Sequence, residues 1–222
     1  MDKISGDKVF SIHPLPDGFL YAYCIEQTEE HYKVGYKMVS FETGKVASVT
    51  KSIYMLTKFG ADYKTFEDKI KNYLTCFSIL MEGGQTFVIE RDGTANIFGP
   101  GGEVLFSGTF LYQNTPPGGV AVNGNTLWVS YPEHNVLIRH TLSTLREELR
   151  IGGKKSPIKS ATALFAAGTK LFICSRDTNS IWKMDVSTYQ TELYYEFDEP
   201  ALDYVFINKY EIAVLESGIY LL

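Results

Sequence analysis

Apolar and polar residues alternate along most of the chain in short runs broken by Gly, Pro, Asn and Asp. Residues 9–18, VFSIHPLPDG, and residues 76–84, CFSILMEGG, carry the same phrase, an apolar run through Phe-Ser-Ile that ends in a glycine turn. A period of two residues bounded by turn formers predicts strands. The pattern also recurs on a larger scale. Residues 118–145, GGVAVNGNTLWVSYPEHNVLIRHTLSTL, align without a gap with 162–189, TALFAAGTKLFICSRDTNSIWKMDVSTY, at a shift of about 44. Gly124 meets Gly168, Leu127 meets Leu171, Trp128 meets Phe172, Val129 meets Ile173 and Asn135 meets Asn179. Each unit reads as four strands joined by a glycine turn, a polar turn and a second hairpin.

Five such units account for the chain, at about 8–56, 74–112, 116–152, 158–197 and 202–222. A repeat of this length marks the blades of a propeller, in which small sheets bury their faces by stacking radially. The pattern therefore predicts one all-β domain over 1–222, a five-bladed β-propeller. The last unit holds only three strands, and the N-terminal MDKISG is the natural donor of the fourth, in this chain or from another subunit. Trp128 and Phe172, matched on second strands, are expected between neighbouring blades. One stretch departs from the pattern. In KFGADYKTFEDKIKNYL, residues 58–74, Phe59, Tyr63, Phe66, Ile70 and Tyr73 fall at helical spacing, which predicts an amphipathic helical insert between blades 1 and 2.

Residues 116–140, PPGGVAVNGNTLWVSYPEHNVLIRH, resemble an NHL-type propeller repeat, with a proline-glycine start, an apolar inner strand, a glycine turn, and an apolar strand running into a polar turn with Asn. Residues 162–185 are similar, so the resemblance is strongest over about 116–186. It implies the fold, which is shared with WD40-like and sugar-lactone-hydrolase-like propellers, and it leaves the activity open. The Asp usual in that family's polar turn is Tyr131 in one unit and Ser175 in the other.

Composition narrows the function classes. The chain of 222 residues is 45% hydrophobic and 14% aromatic, an ordinary globular balance. Its formal net charge of -5 supplies no basic stripe, so no nucleic-acid partner is expected. No long apolar run or amphipathic basic helix points to a membrane. Cys24, Cys76 and Cys174 form no CxxC pair and read as reduced thiols in strands, which fits a cytoplasmic protein without a metal site or other cofactor.

Function is sought on one face. In a propeller the turns between second and third strands share the top face with the blade-to-blade connections, and loops on a rigid scaffold carry binding residues. The candidate binding residues there are Arg91, Asp92, Glu133, His134, Asn135, Arg176, Asp177 and Asn179, framed by Tyr63 and Tyr73 of the insert. Glu29-Glu30-His31-Tyr32, Gln113-Asn114-Thr115, Lys154-Lys155 and Asp198-Glu199 belong to the same rim. Arg91-Asp92 and Arg176-Asp177 are expected at matching blade positions. The sequence holds no GxSxG, HExxH or P-loop motif. His13, His134 and Asp203 are the candidate catalytic groups of a propeller hydrolase or lyase with its site at the channel mouth. A glycosidase needs paired carboxylates, and only Asp203 occupies an inner strand, with Glu82 near the end of another. The leading expectation is a non-enzymatic binding or scaffold propeller that recognises a protein, peptide or small ligand, as a monomer or weak homo-oligomer. A hydrolase or lyase and a lectin-like carbohydrate binder are the alternatives.

Overall fold

A computed structural model of the chain describes residues 1–29, 31–57, 77–90 and 92–222. The side chains of residues 31, 50–57, 78, 80 and 82 also lie outside the described set. Among the described residues twenty strands form five four-stranded sheets. The chain opens with β1 (Asp2–Ser5), and blade 1 follows as β2 (Val9–Leu15), β3 (Gly18–Gln27), β4 (His31–Ser40) and β5 (Val46–Thr57). Blade 2 is β6 (Phe77–Leu80), β7 (Thr86–Ile89), β8 (Thr94–Phe98) and β9 (Val104–Thr109). Blade 3 is β10 (Gly119–Asn123), β11 (Thr126–Tyr131), β12 (Val136–Thr141) and β13 (Glu147–Gly152). Blade 4 is β14 (Ala161–Ala167), β15 (Lys170–Ser175), β16 (Ser180–Asp185) and β17 (Thr191–Glu196). Blade 5 is β18 (Ala201–Ile207), β19 (Tyr210–Leu215) and β20 (Gly218–Leu221), completed by β1 as its outer strand.

The ring therefore closes within the chain, through antiparallel pairing of β1 with β20. Closure is held by more than the ladder. The Asp7 carboxylate accepts hydrogen bonds from the Ser5 hydroxyl (2.5 Å), the Tyr21 hydroxyl (2.7 Å) and the Lys37 ammonium (2.7 Å). Burial works to raise the Asp7 carboxyl, and those three donors outweigh it, so its pKa lies below the ordinary value. The latch ties the segment after β1 to strands β3 and β4 of blade 1.

Among the described residues, blades stack through apolar clusters shared across four of the five junctions. Ile12, Phe19, Tyr21 and Val39 of blade 1 pack with Val205, Ile207, Ile212 and Val214 of blade 5. Phe87 and Ile89 meet Leu127, Val129 and Ile138 between blades 2 and 3. Trp128 and Leu137 meet Leu164, Leu171 and Ile173 between blades 3 and 4. Phe172 and Ile181 meet Tyr204, Ala213 and Leu215 between blades 4 and 5. Trp128 and Phe172 are both buried in these junctions, at 0% and 8% exposure, so the repeat alignment is in register.

Polar staples reinforce the junctions. The Ser130 hydroxyl, fully buried in blade 3, donates to the Ala161 carbonyl of blade 4 at 2.8 Å. At the bottom, the Asn208 amide donates to the Pro16 carbonyl at 2.6 Å. Gly119 is required where β10 approaches β14, since a Cβ there would sit 2.9 Å from the Ala163 Cα. The insert expected over 58–74, with Tyr63 and Tyr73, lies outside the described residues, as do Glu30, Cys76 and Arg91. Among the described residues no helix is long and apolar enough to cross a membrane.

Candidate functional site

The five inner strands, β2, β6, β10, β14 and β18, surround a channel with a cavity of about 400 Å3. Inner strands that match in register place equivalent residues at one level of that channel. Ser11, Gly119, Ala163 and Asp203 pair with second-strand residues Ala22, Ser130, Cys174 and Val214 and stand at one level, while blade 2 turns Phe77 and Ile79 toward the cavity. In blades 1, 4 and 5 a β-bulge immediately precedes this position, between Val9 and Ser11, Ala161 and Ala163, and Ala201 and Asp203. Bulges re-aim the residues that follow them and recur beside functional sites. In blades 1, 3, 4 and 5 this level holds small or polar residues.

The next level down holds His13, Ala121, Phe165 and Val205 in the same four blades. His13 is the only polar member among these described residues. Residues two apart on a strand share a face, and the Ser11 Oγ lies 2.9 Å from the His13 Nε2. His13 is exposed to the channel, and partial desolvation pulls its pKa below the ordinary histidine value. Asp203 lines the same cavity, and its Oδ1 accepts the Tyr204 backbone N–H at 2.8 Å. Glu90 lies at the mouth. Phe77, Ile79, Ile89, Val120, Leu164 and Phe165 supply an apolar wall.

The top-face turns divide the other sequence candidates. Glu133 and His134 lie in a 3-10 turn that ends at left-handed Asn135 (φ 54), whose N–H bonds the Pro132 carbonyl. Arg176 and Asp177 lie in the matching turn before left-handed Asn179 (φ 49), whose N–H bonds the Arg176 carbonyl. The Asn side chain serves the scaffold in blade 3, where the Asn135 Oδ1 accepts the Ser160 N–H at 2.8 Å. In blade 2 the left-handed residue is Gly93, whose N–H bonds the Glu90 carbonyl. Counted from that shared turn geometry, Asp92 stands opposite Thr178 and His134. Asp92 and Asp177 are therefore offset by one position, contrary to the sequence expectation that they match. Asp92 Oδ1 accepts the Thr94 N–H at 2.8 Å, which holds its carboxyl below the ordinary range and marks a turn-forming role.

His134 sits under an aromatic that the sequence reading passed over. Tyr112, in the connection from blade 2 to blade 3, meets the His134 ring edge-on at 5.1 Å and the Tyr131 ring at 5.5 Å. Arg150 of β13 caps the Tyr112 ring at 4.8 Å. The His134 Nε2 is buried without a hydrogen-bond partner among the described residues. His13 and Asp203 thus share the channel, whereas His134 belongs to the rim of blade 3. No group of three or more His, Cys, Asp or Glu side chains that would hold a metal converges among the described residues. Ser11 is the functional candidate the sequence reading missed, and its spacing of two from His13 on a strand was the available signal.

No protein-family model matches the chain, and no curated protein matches it in sequence. Solved structures match in fold. A virginiamycin B lyase from Staphylococcus aureus, in a structure with quinupristin, is 12% identical with a TM-score of 0.57, covering 97% of this chain and 80% of the lyase. Sqt1 from Saccharomyces cerevisiae is 10% identical with a TM-score of 0.54, over 96% of this chain and 71% of its own. Glutaminyl cyclase from Myxococcus xanthus is 8% identical with a TM-score of 0.53, over 99% and 91%. At such identities the likeness establishes a shared β-propeller fold, and the proteins that carry it differ in activity.

Proposed function

We propose that this chain is a binding propeller whose central channel takes a small, largely apolar ligand. The observation that carries the reading is the placement of His13. Among the described residues it is the one polar residue at a level shared with Ala121, Phe165 and Val205, and it is hydrogen-bonded to Ser11 on the wall of a cavity of about 400 Å3. Small-molecule sites are concave and mostly apolar, with a few polar groups that fix orientation. Ser11, His13 and Asp203 supply that polar wall. A soluble fragment set of neutral aromatic compounds, read by ligand-observed NMR, tests the reading. Binders are expected for the wild type and lost with His13→Leu, a change toward the residue type of the neighbouring blades that leaves the fold intact. Equal binding by His13→Leu, or no binder at all, removes the channel site.

A second reading has a specific observation in its favour. A serine hydroxyl 2.9 Å from a neutral histidine has the geometry of a nucleophile and its base. In that reading the Ser11 Oγ attacks an ester carbonyl as His13 takes the hydroxyl proton, and the alcohol leaves with that proton. Treatment with a p-nitrophenyl ester distinguishes the two. An acyl adduct on Ser11 that disappears in His13→Leu selects the enzyme, and an unmodified Ser11 selects the binder.

A further inference from the structure

The connection from blade 3 to blade 4 builds a second concave site that shares no lining residue with the channel. β13 ends at Gly152, where a Cβ would sit 2.2 Å from the Asn135 carbonyl oxygen. Gly152 and Gly153 both turn through positive φ (100 and 103), a conformation that favours glycine. The chain then bends back, with the Ser156 N–H on the Gly153 carbonyl, before it enters β14. Between this connection and Tyr189 and Thr191 of blade 4 lies a cavity of about 350 Å3, large enough for a small molecule. Leu137, Ile151, Pro157, Ile158 and Ala161 supply its apolar lining.

The polar groups on that lining have spent their acceptors and kept their donors. The Asn135 Oδ1 takes the Ser160 N–H at 2.8 Å, which leaves the side-chain N–H groups over. The Ser156 Oγ accepts the Ile158 N–H at 3.2 Å and keeps its own proton. The Tyr189 hydroxyl oxygen accepts from the Arg139 guanidinium. Lys155 is exposed, is the one charged residue on the wall, and has no acidic partner among the described residues. The surrounding charge has the same sign. Between Glu148 and Asp177 the chain carries Arg150, Lys154, Lys155, Lys159, Lys170 and Arg176 and no acid, in a protein of net charge -5. Arg150 is paired with Glu147 at 2.8 Å and Lys170 with Asp185 at 2.7 Å, and the Lys159 ammonium donates to the Lys154 carbonyl at 2.9 Å. Lys155 is left to face the cavity.

We propose that this cleft binds a small carboxylic acid with an apolar tail. The carboxylate takes the Lys155 ammonium and the spare donors of Asn135 and Ser156, and the tail lies against Leu137, Ile151 and Ile158. Only an anion uses a wall of donors, and charge-assisted hydrogen bonds are the strong ones. Titration of the isotope-labelled full chain at neutral pH with sodium octanoate, octan-1-ol and octylamine, followed through its amide resonances, tests this. Octanoate is expected to move the amides of residues 153–158 and 189–191 and to bind about tenfold more tightly than octan-1-ol, and octylamine to leave them in place. Lys155→Met keeps the stem at an exposed position and removes the charge. It should weaken octanoate by about tenfold and leave octan-1-ol unchanged, while Lys155→Arg keeps octanoate binding. Absence of octanoate binding overturns the proposal, as does octanoate that binds no better than octan-1-ol. So do shifts that gather on the channel strands instead, or unchanged octanoate binding by Lys155→Met.

Discussion

Blades 3 and 4 fold the turn after the second strand in the same way, with three residues in a 3-10 turn and a left-handed Asn closing on the carbonyl three residues back. Their side chains differ at every matched position around it. In blade 4 Ser175, Thr178, Ser180 and Trp182 form a continuous ladder, Ser175 to Thr178 at 2.6 Å, Thr178 to Ser180 at 2.6 Å, and the Trp182 indole to Ser180 at 2.9 Å. Ser175 extends it by accepting the Lys159 N–H and donating to the Lys159 carbonyl. In blade 3 the same positions hold Tyr131, His134, Val136 and Ile138, and the turn is covered by rings, with Tyr112 on Tyr131 and His134. One turn satisfies its polar groups internally and is rigid by hydrogen bonding. The other leaves the His134 Nε2 without a partner among the described residues and is held by packing. A shared backbone thus fixes where a side chain sits, and the residue type alone decides whether that position belongs to the scaffold or remains for recognition.

The largest test of the equivalence lies beneath both turns. Trp128→Ala and Phe172→Ala, at matched and buried positions, are each expected to destabilise by about 3–5 kcal/mol in chemical denaturation. A loss below about 1 kcal/mol at either site would break the equivalence of the two blades. The ladder itself comes next. Ser175→Ala leaves both backbone groups of Lys159 without their side-chain partner and is expected to cost about 1–3 kcal/mol. Its mate Tyr131→Phe, which keeps the ring stack, is expected to stay within about 0.5 kcal/mol of wild type. Equal costs would mean that the two turns are held alike.

A smaller effect is expected on the packed turn. His134→Ala removes the edge contact to Tyr112 and should cost about 0.5–1.5 kcal/mol, while His134→Thr imports one rung of the blade 4 ladder without its neighbours and should recover little of that. The subtlest test uses pH. His140, buried against Phe110, occupies the position of Met184 in blade 4. Burial lowers its pKa, against the opposing pull of the Leu145 backbone and of Glu147 and Glu148. The unfolded chain therefore binds that proton more readily. The His140 contribution is complete above the unfolded histidine value of about 6.5 and is lost as pH falls below it. His140→Met should flatten stability between about pH 7 and about pH 5, and an unchanged slope would show that His140 does not titrate on unfolding.

The candidate site was legible in uneven measure. His13 stood out because its repeat mates are apolar, a comparison the chain makes with itself. Ser11 was in plain view two residues earlier, and strand alternation alone places it on the same face. Tyr112 escaped because the neighbouring polar residues of its connection drew attention, and nothing local shows a connection folding back onto the next blade. The offset between Asp92 and Asp177 was hidden for a related reason. Dipeptides align by identity, whereas turns align by the residue with positive φ, here Gly93 in one blade and Asn179 in the other.

The sequence by itself determined the number of blades, the register of blade 3 against blade 4 and the burial of Trp128 and Phe172. Those properties follow from local alternation repeated at a fixed period, and each unit must bury both faces against copies of itself. Only the tertiary structure decided the rest. The closure through β1, its latch from Asp7 to Tyr21 and Lys37, and the Ser11–His13 pair within the channel depend on contacts between distant segments or on what surrounds a strand. Alternation tells a residue which side of its own strand it occupies. Which neighbour fills that side is settled when the ring closes.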